Sequence, residues 1–177
     1  MTDLVDHETE CMFRSVQCPG RHQDNCNWLG PLNQLVQHVL QQECVLVVTA
    51  SQANNLFTSI IDQQRKPVML TSVEALEYFC YAMFYKDGDG HWVSHVRSFS
   101  PPQKRKSLQV EVKIRTADNE SLCEQESFKF GVSSNEATEQ EIKDSGNCLR
   151  LKEDQIRKHI VENSVLWFII TKSGPGE

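Results

Sequence analysis

Cys18, Cys26, His38 and Cys44 constrain this chain more than anything else in it. Thiols and an imidazole in that number suit a tetrahedral Zn²⁺ ion, which takes Cys and His in structural sites. Cys18 and Cys26 flank a loop that opens with Pro19 and Gly20. His38 falls on a short amphipathic helix that Gly30-Pro31 starts, Pro being tolerated at the first helical position. Along it Leu32, Leu35, Val36, Val39 and Leu40 recur at helical spacing and form one apolar stripe, with His38 beside it. Cys44 follows just past the helix. With every ligand position filled by protein, no place remains for a water nucleophile, so the metal is expected to hold the fold and do no chemistry. His22, inside the loop, is the rival ligand, but its neighbours Arg21 and Gln23 mark it as an exposed loop residue.

The chain has 177 residues, enough for a small module and a medium domain, and its 39% hydrophobic content supports a real core. A net charge of −6 argues against a nucleic-acid surface, which needs a basic face. No apolar run approaches the ~20 residues of a membrane span, and the polar, acidic start does not read as a signal peptide. Seven cysteines, an odd number mixed with histidines, favour metal binding in a reducing compartment over disulfides. The expected location is the cytosol, the nucleus or both.

After Cys44 the texture changes. Val45 to Thr49 and Val68 to Thr71 read as short strands, with a polar, Asn/Gln-rich stretch at 50–65 carrying Leu56, Phe57, Ile60 and Ile61 between them. Residues 77 to 86 are dense in aromatics and end at Asp87-Gly88-Asp89-Gly90, a strong turn signal. His91 to Phe99 returns as a strand, and residues 101 to 106 read as a loop. Val110, Val112 and Ile114 alternate with charged residues, as Phe128, Phe130 and Val132 alternate with polar ones, the pattern of strands with one wet face. Residues 133 to 147 are polar and acidic. Cys148 to Leu151 is short and apolar, Ile156 and Ile160 suggest a short helix, and Val165 to Thr171 a closing strand. Short strands at close intervals predict an antiparallel β-sandwich. The fold class is therefore mainly β, a small zinc module over residues 1–44 followed by a sandwich over 45–173 and a tail at 174–177.

Other motifs have plainer readings. His91 and His95 sit four apart on a strand, about 13 Å, too far to share a metal, and are expected to be partly exposed strand histidines. Asp87 to Gly90 lacks the remaining ligands of a calcium loop and reads as a hairpin turn. Lys104-Arg105-Lys106 reads as a solvated loop rather than an import signal. Cys80 belongs in the core, and neither it, Cys123 nor Cys148 has neighbours that would nominate a nucleophile. No phosphate-cradling glycine loop or serine-hydrolase motif is present, so no catalytic residue is expected.

His7 to Arg14 running into Cys18-Pro19, then Cys26-Asn27-Trp28-Leu29-Gly30, then His38, resembles the second half of the double zinc finger of the seven-in-absentia (Siah) family of ubiquitin ligases. Phe79 to Tyr85, the Lys86-Asp87-Gly88 turn and Ser145-Gly146-Asn147-Cys148-Leu149 resemble that family's TRAF-like sandwich. The resemblance implies a substrate-binding region that recruits protein targets through an extended peptide, usually as a homodimer, while an N-terminal RING docks the ubiquitin-conjugating enzyme. It makes His7 and Cys11 the last two ligands of a first finger whose other ligands are missing, too few for a stable zinc site alone. It also puts Cys44 where better-known members carry His. This chain shows no RING ligands. A segment of a RING-type ligase that marks targets for degradation and a non-catalytic zinc-binding adaptor of the same family both stay open. The expected peptide site is a sheet edge built from the strands at 45–49 and 68–71, with Val47, Thr49, Val68 and Leu70 as contacts.

Overall fold

Period-two alternation places strands at β7 (Leu108–Asp118) and β8 (Ser121–Gly131), which pair antiparallel, and β11 (Ser164–Lys172) pairs antiparallel with β7 on the other side. In this computed structural model the described residues are 11–22, 26–49, 68–71, 80–118, 121–159 and 164–172. The stretch at 50–65, His7, Tyr78, Phe79, Ile160 and the tail at 174–177 lie outside them.

The front module is a two-stranded antiparallel ribbon, β1 (Ser15–Gln17) with β2 (Leu29–Pro31), joined through a 3-10 turn at Pro19–His22 and followed by helix α1 (Leu32–Gln42). The apolar stripe folds as expected at Leu32, Leu35 and Val39, which are buried, whereas Leu40 is exposed. Pro31 sits one place earlier than predicted, as the N-cap.

The second sheet runs β10 (Leu149–Leu151), β6 (Trp92–Ser98), β5 (Cys80–Lys86), β4 (Val68–Thr71), β3 (Leu46–Thr49), with β9 (Ser133–Ser134) also on β6. Its pairings are antiparallel except β3 with β4 and β6 with β9, which are parallel. Helix α2 (Pro102–Lys106), α3 (Glu139–Asp144) and α4 (Glu153–His159) join the strands.

β5 does not alternate, because neither of its faces is wet: every residue from Cys80 to Tyr85 is buried. Cys80, Ala82 and Phe84 point into one core with Val96 of β6, Val110 and Val112 of β7, Phe130 of β8, Leu149 and Leu151. This is the sandwich interior. Tyr81, Met83 and Tyr85 point the other way, into a second core with Val93, Phe99 and the front module's Val16, Leu32, Leu35 and Val39. The front module thus caps the outer face of the sheet, and the molecule is mostly β in three layers. A strand covered on both sides reads as a continuous apolar run, as here.

Two expectations are corrected. Residues 102–106 form a short helix, not a loop; Pro102 supplies the fixed φ that suits a helix start, and the Arg105 amide closes a turn on the Pro101 carbonyl at 2.9 Å. His95 is fully buried rather than partly exposed, since it lies on the capped face of β6. Its Nε2 accepts a hydrogen bond from the buried Arg97 Nε at 2.9 Å, which keeps that ring nitrogen unprotonated. Arg97 in turn donates to the Ala137 carbonyl at 2.8 Å, pinning the segment after β9.

Candidate metal centre

The local chain paths explain how the ligands meet. β1 delivers Cys18 at its end, and the Cys18 amide donates to the Trp28 carbonyl at 3.1 Å, closing the ribbon beside Cys26. His38 projects from α1. The helix then ends on Glu43, whose φ of 51° is left-handed, with its amide donating to the Val39 carbonyl at 3.1 Å. That reversal turns Cys44 back toward Cys18.

The ligand atoms of Cys18, Cys26, His38 and Cys44 all lie within 4.8 Å of one another. Cys18 Sγ is 3.4 Å from Cys44 Sγ, Cys26 Sγ 3.2 Å from His38 Nε2, and Cys44 Sγ 3.8 Å from the same nitrogen. Ligands about 2.3 Å from a tetrahedral zinc stand about 3.8 Å apart, so these separations suit the ion. Burial pushes the Cys18 and Cys44 thiol pKa values up from their ordinary range and the His38 pKa down. Packed so closely, thiolates repel one another, and a divalent cation removes both penalties at once. One partial positive charge already favours the Cys18 thiolate: the Gly20 amide donates to Cys18 Sγ at 3.4 Å. Zinc is the cofactor this donor set holds, with a structural role.

Sequence reasoning missed the residues that position these ligands. Trp28 stacks flat on the His38 ring, with centroids 4.5 Å apart and 8° between planes. A Cβ on Gly30 would stand 2.5 Å from the indole, so only glycine lets Trp28 fold over. A Cβ on Gly20 would stand 2.9 Å from both Cys44 Cβ and the Cys44 carbonyl oxygen. The Cys26-Asn27-Trp28 run was the available signal for the first; nothing in the sequence flagged Gly20, because its neighbour is 24 residues away in the chain.

The other nominated residues are placed as follows. Cys11 is half-buried and stands outside the four-ligand group, its carbonyl accepting from the Arg14 amide at 3.2 Å. His7 and the His22 side chain lie outside the described residues. Val47 and Thr49 fall on β3, at the end of its sheet; Val68 and Leu70 fall on β4, which pairs with β3 on one side and β5 on the other. The expected two-strand edge is therefore one strand, since β4 has its backbone engaged on both sides. Asp87, Asp89 and His91 also gather within 4.8 Å. Lys143 Nζ and Arg150 Nη2 each sit 3.1 Å from Asp87 Oδ2 and already supply the positive charge there, so this cluster is a structural ion network.

Among the described residues, no helix is long and apolar enough to cross a membrane. No curated protein matches the chain. Residues 1–56 match the family model described as Sina, zinc finger, and the closed Cys/His centre falls within that match. Over that stretch the chain is similar to the Sina zinc finger.

Proposed function

We propose that the chain is the substrate-recruiting region of a RING-type ubiquitin ligase. Residues 1–44 form the finger, and residues 45–173 a TRAF-like body that holds target proteins and pairs with a second copy. The observation that carries this reading is the Sina finger match over a closed four-ligand centre. Holding a target near a conjugating enzyme raises the local concentration of its lysines, and no residue of this segment needs to perform the transfer. The conjugating enzyme would dock on a RING supplied by the parent protein, in the cytoplasm, the nucleus or both.

β3 is the proposed seat for an extended target peptide. Val47 and Thr49 lie on it, and Val68 and Leu70 back it from β4. Backbone pairing along that strand would supply affinity, and alternate side chains selectivity.

The test immobilises the zinc-loaded chain, identifies captured proteins by mass spectrometry, and presents them to the same chain fused behind a RING with a conjugating enzyme. Ubiquitin is expected on the captured proteins, and Cys26→Ser is expected to abolish both capture and transfer. Capture without transfer would point to the adaptor reading. Absence of any zinc-dependent capture overturns both.

A further inference from the structure

Where the finger meets the sandwich, a half-open trough of about 480 Å³ runs along the seam. Arg14 and Arg21 of the finger and Arg105 of α2 line it, and among the described lining residues Glu136 is the one carboxylate. That is a local excess of positive charge in a chain whose net charge is −6. The Arg14 guanidinium donates to the Phe99 carbonyl and Arg105 Nη1 to the next carbonyl, Ser100, at 3.3 Å, so the two cations are held side by side. Burial works against the charge on both, and Glu136 offsets only part of that cost. An incoming anion would offset more. The Ser100 hydroxyl, buried in the same wall, has no hydrogen-bond partner among the described residues.

A second feature tells what kind of anion fits. Ser15, Val16 and Gln17 of β1 also line the trough. The Arg14 carbonyl accepts from the Leu32 amide at 3.0 Å, and the Cys18 amide donates to the Trp28 carbonyl at 3.1 Å. Hydrogen-bonded residues alternate along an antiparallel pair. Arg14, Val16 and Cys18 therefore use their backbone groups toward β2, and Ser15 and Gln17 turn theirs to the outer edge. Among the described residues β1 pairs with no strand except β2.

We propose that this seam binds an acidic peptide, laid as a strand along β1 with its carboxylates on Arg21 and Arg105. Backbone pairing and charge-assisted hydrogen bonds would act together there, the first giving register and the second selecting acidic residues. The inference rests on reading the chain as a protein-recruiting region, but it concerns a surface on the finger, separate from β3.

The test titrates the zinc-loaded full chain into a fluorescein-labelled peptide of alternating Glu and Ser, its Gln-for-Glu counterpart, and a labelled oligothymidylate, reading anisotropy. Saturable binding of the Glu peptide is expected, at least about tenfold tighter than the Gln peptide and weakening with salt. The double variant Arg21→Gln, Arg105→Gln should lose at least about tenfold in affinity with zinc content and melting temperature unchanged. Should that variant lose zinc, Glu136→Gln serves instead: removing the competing carboxylate should tighten Glu-peptide binding. No binding of the Glu peptide, equal affinity in the well-folded double variant, no tightening in Glu136→Gln, or tighter binding of the oligothymidylate each overturns the proposal. Such a failure leaves the ligase reading intact, because that reading is judged by ubiquitin transfer.

Discussion

Glu43 is the residue on which the closure of the metal centre turns. Its φ of 51° is a conformation that helix ends usually give to Gly or Asn. A glutamate there carries a backbone cost of roughly 1 kcal/mol, which the zinc geometry offsets by fixing Cys44. A β-branched residue tolerates that region worse still. Glu43→Val is therefore expected to lower stability by about 1–2 kcal/mol and to speed zinc loss to a competing chelator, while Glu43→Gly should bind zinc at least as tightly as the parent. Chelator competition on the three proteins checks this; equal zinc retention in all of them would show that the turn does not matter. The ligands themselves were legible in the sequence because Cys18, Cys26, His38 and Cys44 stand close along the chain in residue types with few other reasons to cluster. Their supports were not. Gly20 against Cys44 and Trp28 over His38 are tertiary approaches, and sequence spacing does not report them.

Among the elements, the hairpin between β5 and β6 shows how a turn becomes an anchor. Asp87 Oδ1 accepts from the Asp89 amide at 3.1 Å and the His91 amide at 2.9 Å, while Oδ2 faces Lys143 and Arg150. One carboxylate thus ties the hairpin to α3 and β10. Burial alone would push its pKa up, but the His91 amide, Lys143 and Arg150 outweigh that and hold it at about 2, below an ordinary 3.8. A depressed carboxylate contributes stability above its unfolded value and loses it as pH falls through the folded one. The stability gap between the parent and Asp87→Asn should hold constant above about pH 4 and narrow toward pH 2, as read by urea melts across that range. A gap independent of pH would exclude the carboxylate as its source. The strands were legible where one face is wet, as in β7 and β8. α3 was not recognised, although Thr138 and Glu141 form a full capping box, with the Glu141 amide donating to Thr138 Oγ1 at 3.2 Å and the Thr138 amide to Glu141 Oε2 at 2.7 Å. That helix buries only Ile142, so it has no apolar period to read. α2 was hidden the same way, behind a basic run.

At the scale of the whole molecule, the finger is not an appendage. Val16, Leu35 and Val39 share one core with Tyr81, Met83, Tyr85 and Val93 of the sheet. Structural zinc contributes folding energy directly, and small metal modules unfold without it. Stripping the metal should therefore uncover the outer face of the sheet as well as unravel the finger. Chelation is expected to lower the melting temperature of the entire chain by more than about 10 °C in a single calorimetric transition, with zinc restoring it. Two separate transitions, the higher one indifferent to chelator, would mean that the layers fold independently. This stacking was not legible in the sequence. The composition of β5 shows that the strand is apolar throughout, but not that one side meets a second sheet and the other a metal module.

The double cover of β5 bears on how such a chain can vary. A strand with one wet side has alternate positions open to neutral drift; this strand has none before its exposed last residue, Lys86, because each side chain from Cys80 to Tyr85 answers to one interior or the other. Novelty in what the protein recognises must therefore accumulate at rims and seams, where a substitution disturbs neither packing.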